Sequence, residues 1–83
     1  MTDDKPLGIV THYYSHLGVG TVLLNGPLKV GDQIRFEGSS TNFEQAVNEM
    51  QLDHKPIETA ENGQDIGLKV NDKVRVGDKV YLV

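Results

Sequence analysis

The chain has 83 residues, neither cysteine nor tryptophan, and a formal charge of −4 from 12 acidic and 8 basic residues. This length suffices for one small domain but not for a cofactor-binding domain beside a catalytic one, and the absence of thiols excludes disulfides and thiolate metal sites. The acidic balance disfavours broad, nonspecific attraction to a phosphate backbone.

The opening residues, Met1-Thr2-Asp3-Asp4-Lys5-Pro6, are polar and read as a flexible tail over 1–6, unlike the basic and apolar regions of a secretory signal. No apolar run approaches the roughly 20 residues that a membrane helix needs. No membrane partner is expected, and a cytoplasmic setting is.

Leu7 to Tyr14 is rich in β-branched and aromatic residues and predicts a first strand. Ser15-His16-Leu17-Gly18 makes a turn. Val19 to Asn25 predicts a second strand, whose run Val22-Leu23-Leu24 implies burial on both faces or a bend, and Gly26-Pro27 ends it.

Next comes a phrase that the chain uses twice, Leu28-Lys29-Val30-Gly31-Asp32 and later Val74-Arg75-Val76-Gly77-Asp78. An alternating run follows each copy, Gln33-Ile34-Arg35-Phe36 and Lys79-Val80-Tyr81-Leu82. The phrase suits a chain reversing into a strand, because Gly tolerates φ > 0 and Asp bonds nearby backbone N–H groups. It organises a fold and carries no reaction chemistry.

Ile34 and Phe36 alternate with polar neighbours as in a half-buried antiparallel strand, and Gly38-Ser39-Ser40-Thr41-Asn42 closes that strand with loop residues. Phe43 to Leu52 supports two readings. Phe43, Val47 and Met50 recur at helical spacing behind a Thr41–Glu44 capping box, while a bulged strand also accounts for the slip in alternation between Val47 and Met50.

His54 to Gly63 reads as a loop with one short helical turn after Pro56. Ile66, Leu68 and Val70, and later Val80 and Leu82, mark the two cleanest strands. Five or six short strands separated by Gly, Pro, Asn and Asp clusters indicate a small barrel or sandwich, and closure is favoured because it removes aggregation-prone edges.

Chemical constellations are sparse. His12 and His16 straddle a strand end and a turn, where a four-residue spacing has no fixed geometry for a metal. Tyr13 and Tyr14 offer a base-stacking platform only if they share a face, whereas a strand splits them between core and surface. No paired carboxylates, nucleophile with a base, or phosphate loop is recognisable, so neither catalysis nor nucleotide hydrolysis, cofactor or metal is expected.

Several strings resemble domain II of the translational GTPases, the family that includes EF-Tu. They are Gly26-Pro27-Leu28-Lys29-Val30-Gly31-Asp32, Glu49-Met50-Gln51, His54-Lys55-Pro56-Ile57-Glu58-Thr59-Ala60 and Gly63-Gln64-Asp65-Ile66-Gly67-Leu68. The string Gly8-Ile9-Val10-Thr11-His12-Tyr13-Tyr14-Ser15 resembles the opening of stand-alone translation elongation factor-like proteins, and also the C-terminal barrel of the collagenase-like peptidases, some of which act in RNA modification.

The resemblance implies an all-β fold, a small six-stranded Greek-key barrel of the domain II type over residues 7–83. It also turns Phe43–Leu52 into a strand. In that family the domain helps bind the aminoacylated end of tRNA. By position, the pocket's Glu falls on Glu49, its Arg near His54 with two extra residues between the matched segments, and its Asn on Asp65. A carboxylate at Asp65 repels phosphate and cannot donate as an amide does.

The resemblance therefore implies a non-catalytic binding module linked to translation or RNA modification, with a partner face containing Glu49, His54, Lys55 and Asp65. RNA, the ribosome or a translation-linked protein is the expected partner. The alternative is a protein–protein accessory module acting in trans with a larger enzyme.

Overall fold

The computed structural model describes residues 5–83, so residues 1–4 of the expected tail lie outside the described residues. Ten strand segments follow one another: β1 (Gly8–Tyr14), β2 (Val19–Leu24), β3 (Leu28–Lys29), β4 (Gln33–Glu37), β5 (Asn42–Ala46), β6 (Met50–Leu52), β7 (Lys55–Ile57), β8 (Thr59–Ala60), β9 (Asp65–Lys69) and β10 (Lys79–Leu82). Eight of them form one antiparallel sheet in the order β5-β4-β10-β1-β2-β9-β6-β7, and β3 and β8 form a separate ribbon. There is no helix among the described residues, and so none long and apolar enough to cross a membrane.

Alternation selects the inner face. Val10, Val22, Leu24, Ile34, Phe36, Met50, Ile66, Leu68 and Val80 are buried in one cluster, around which the sheet curls. Tyr13 packs against that cluster from β1, while Tyr14 faces out. Of the two expectations for Val22-Leu23-Leu24, burial on both faces or a bend, Leu23 corrects the first: it lies between the buried Val22 and Leu24 but is 43% exposed.

The repeated phrase folds the same way in both places. Gly31 and Gly77 take φ of 102° and 94°. Asp32 Oδ2 accepts from the Lys29 N–H at 3.1 Å, and Asp78 Oδ2 from the Arg75 N–H at 2.9 Å. Each turn then docks on a buried valine elsewhere in the chain, Val47 just after β5 and Val10 in β1. The Gly31 N–H donates to the Val47 carbonyl and the Val47 N–H to the Asp32 carbonyl, at 2.9 and 2.8 Å. The Gly77 N–H and the Val10 N–H repeat this pattern with Val10 and Asp78, both at 2.8 Å.

That docking explains two departures from local rules. Phe43–Leu52 is neither a helix nor one bulged strand, but β5 and β6 separated by residues 47–49. Val47 leaves the ladder because its backbone serves the Asp32 turn, and Thr41 is buried in the β4–β5 connection instead of capping a helix. The loop and helical turn expected over His54–Gly63 are replaced by β7 and β8. Pro56 fits there because β7 is the last strand of the sheet, where one ladder donor is dispensable.

The remaining seam beside β5 is bridged by a side chain. Gln45, 3% exposed, donates from Nε2 to the Lys69 carbonyl at 2.8 Å and accepts from the Asn71 N–H at 2.7 Å. One amide thus behaves as an extra rung between β5 and the end of β9.

Candidate functional site

The outer face of β1, β2, β9 and β6 carries the groove of interest. Because Val22, Ile66, Leu68 and Met50 point inward, Thr21, Gly67 and Gln51 point outward, and register sets Thr21 opposite Gly67 and Gly67 opposite Gln51. With no side chain at Gly67, the middle of this row is bare. Around it lies a groove of about 540 Å³, lined by Tyr14, Leu17, Val19 and Thr21 on one flank, and by Gln51, Asp53, His54, Asp65 and Gly67.

A bulge sets the polar end. β1 pairs Val10 with Val22 and then His12 with Thr21, which leaves Thr11 as the extra residue. Thr11 Oγ1 donates to Asp65 Oδ1 at 3.1 Å and lies 2.6 Å from Thr21 Oγ1. Since Thr11 has one hydroxyl proton, the Thr21 hydroxyl donates to Thr11 in this arrangement, and the two threonines hold Asp65 through a short relay. Asp65 keeps lone pairs free for a ligand.

The opposite end is apolar. Tyr14 is 40% and Leu17 55% exposed, and the His12 and Tyr14 rings lie 4.5 Å apart, inclined at 48°. Leu17 sits in the β1–β2 turn, where its N–H and that of Gly18 both donate to the Tyr14 carbonyl.

Asp53 and His54 form the two-residue turn of the β6–β7 hairpin, flanked by the Leu52–Lys55 pair. Their φ values of 52° and 64° fit a turn with both central residues left-handed, a place usually given to Asn-Gly or Asp-Gly. Asp tolerates this conformation by local hydrogen bonding, whereas for His it is strained.

The residues expected from sequence are therefore distributed unevenly. His54 and Asp65 line the same groove. Glu49 lines a smaller adjoining depression of about 30 Å³, together with Lys69, and that depression shares Val19, Gln51 and Gly67 with the groove. Lys55 follows His54 at the start of β7 and lines neither. Among the described residues, no group of three or more His, Asp or Glu side chains is arranged to hold a metal.

Sequence reasoning did not single out Thr11, Thr21, Gln51, Asp53 or Gly67. The Asp53-His54 hairpin lacks the usual Asn-Gly or Asp-Gly signal, and the bulge and the bare glycine become visible only once register is known. Electrostatically, the groove lining holds the carboxylates of Asp53 and Asp65 and no Lys or Arg. Lys69 Nζ donates to the Leu17 carbonyl at 3.2 Å beside the apolar end, so it is the Asp53 and Asp65 end that repels a phosphate and attracts a cation.

No protein-family profile matches the chain. It is 40% identical over 78 residues to an uncharacterized protease of Methanocaldococcus jannaschii, covering 93% of this chain and 19% of the relative. It is 38% identical over 71 residues to a collagenase of Porphyromonas gingivalis, covering 83% and 20%. It is also 42% identical over 77 residues to elongation factor 1-alpha of Methanopyrus kandleri, covering 81% and 18%. The chain thus spans about one fifth of the length of these relatives.

Among solved structures, the C-terminal domain of a Geobacillus thermoleovorans protein assigned to the U32 peptidases superposes with a TM-score of 0.88 at 21% identity, covering 93% of this chain and 98% of that one. Both resemblances read from the sequence, to the elongation factor barrel and to the C-terminal barrel of collagenase-like peptidases, are supported. The shared fold is all-β.

Proposed function

We propose that this chain is a non-catalytic binding module that docks in trans on a larger translation- or RNA-modification-linked protein in the cytoplasm. Its docking face is that of β1, β2, β9 and β6, with His54 and Asp65 in the groove, Glu49 beside it and Lys55 next to the hairpin turn. The observation that carries this reading is the groove itself, in which exposed apolar side chains meet two carboxylates and His54, with no Lys or Arg in the lining. The similarity of the chain to one fifth of much longer proteins supports an accessory role, with any chemistry supplied by the partner. We read the curled sheet as a six-stranded Greek-key barrel of the domain II type whose strands are broken by turns into ten segments, a reading that the elongation factor similarity supports.

A second reading, direct RNA binding, is favoured by a different place. Lys73 and Arg75 line a cleft of about 360 Å³ with Phe43 and Asp72, combining cations with an aromatic ring. A pulldown from host-cell lysate with tagged chain, with and without nuclease, separates the two. A partner protein retained after nuclease supports the accessory module. Recovery lost with nuclease, and lost in Lys73→Ala/Arg75→Ala but not in Gly67→Val, establishes the RNA reading instead.

A further inference from the structure

The chemistry of the groove specifies its occupant more narrowly. Resting on the accessory-module reading, we propose that the groove takes a peptide segment of the partner that bears a Lys or Arg next to an apolar residue. The argument is charge complementarity joined to shape. At one end, Tyr14 and Leu17 expose apolar surface, against which an apolar side chain or the methylene stem of a Lys or Arg packs. The Tyr14 ring also offers a face to a guanidinium.

Further along, Asp65 is held by Thr11 and, through it, Thr21, so its carboxylate does not have to be ordered when a cation arrives, and the hairpin turn places Asp53 in the same lining. Gly67 supplies the space between the two kinds of surface. A Cβ there would lie 3.6 Å from Val19 Cγ1 and 3.8 Å from the Gln51 carbonyl, which are ordinary contacts, so a side chain can start from Gly67 into the groove, and a β-branched one suits a strand. An RNA strand would bring phosphates towards two carboxylates in a lining without Lys or Arg, the nearby Lys69 being engaged with the Leu17 carbonyl.

The test is selection of a displayed random heptapeptide library on the full chain, depleted first on Gly67→Val. The expected result is enrichment of peptides with Lys or Arg beside an apolar residue. A synthetic peptide of the leading sequence is then expected to bind about fivefold more weakly to Asp65→Asn and to Asp53→Asn, and more weakly still as salt is raised. Asn is suited to both positions, since it can still accept from Thr11 and tolerates the left-handed turn.

Enrichment of acidic or uncharged peptides overturns the proposal, as does no enrichment, or equal binding of the peptides to Gly67→Val. The accessory-module reading fails separately. If Gly67→Val loses a nuclease-resistant partner while the library yields no basic peptides, the docking face stands and the cationic occupant does not.

Discussion

Gln45 and Lys69 are joined by a side-chain amide acting as a strand. Nε2 donates to the Lys69 carbonyl at 2.8 Å while Oε1 accepts from the Asn71 N–H, inside a protein interior that leaves Gln45 almost no exposure. This bridge ties the free side of β5 to the end of β9, on the strand that also carries Asp65 and Gly67.

Gln45→Leu keeps the volume and removes both bonds, leaving a carbonyl and an N–H unpaired in the seam. Chemical denaturation is expected to show a loss of about 2–3 kcal/mol, with the slope unchanged. Gln45→Glu retains an acceptor for Asn71 but brings a carboxylate against the Lys69 carbonyl, and it is expected to be no better tolerated. A loss below about 0.5 kcal/mol for Gln45→Leu would show that the bridge is not needed.

The twin turns make a prediction about equality. A Cβ added at Gly31 or at Gly77 meets nothing within 4 Å, so each substitution by Ala tests backbone conformation alone. Both are expected to cost about 1–2 kcal/mol, and to agree with each other within about 0.5 kcal/mol. Thermal melts of the two variants check this, because strongly unequal shifts would mean that the turns are not equivalent.

Gly38 is required for a different reason. An added Cβ would collide with Asp78 Oδ1, and Asp78 cannot yield freely because it is buried and its other oxygen holds the Arg75 N–H. Gly38→Ala is expected to destabilise by about 1–3 kcal/mol, lowering the melting temperature by several degrees for each kcal/mol.

His54 points the other way. Gly in its left-handed position relieves strain, so His54→Gly is expected to stabilise the chain by about 1 kcal/mol. If His54 serves the groove, the same variant binds the partner more weakly. A more stable variant with unchanged binding would assign His54 to the turn alone.

Legibility followed the range of the forces involved. The two Val-Gly-Asp turns were readable because positive φ and the Asp-to-N–H bond are local events within five residues. The helical spacing of Phe43, Val47 and Met50 misled because it arises from an interruption, imposed on Val47 by a turn distant in sequence. Leu23 was misread since an apolar run does not reveal that one of its members joins an outer face beside Ile9. Within the groove, resemblance pointed to His54 and Asp65, but Thr11 required knowledge of a bulge and Gly67 knowledge of its cross-strand neighbours.

The most direct test of the docking face compares capture of the nuclease-resistant partner by the wild-type chain and by Gly67→Val, with matched melting temperatures showing both to be folded. The account predicts that the wild type retains the partner and that Gly67→Val loses most of it. Equal retention by the two would contradict the assignment of the β1-β2-β9-β6 groove as the binding site.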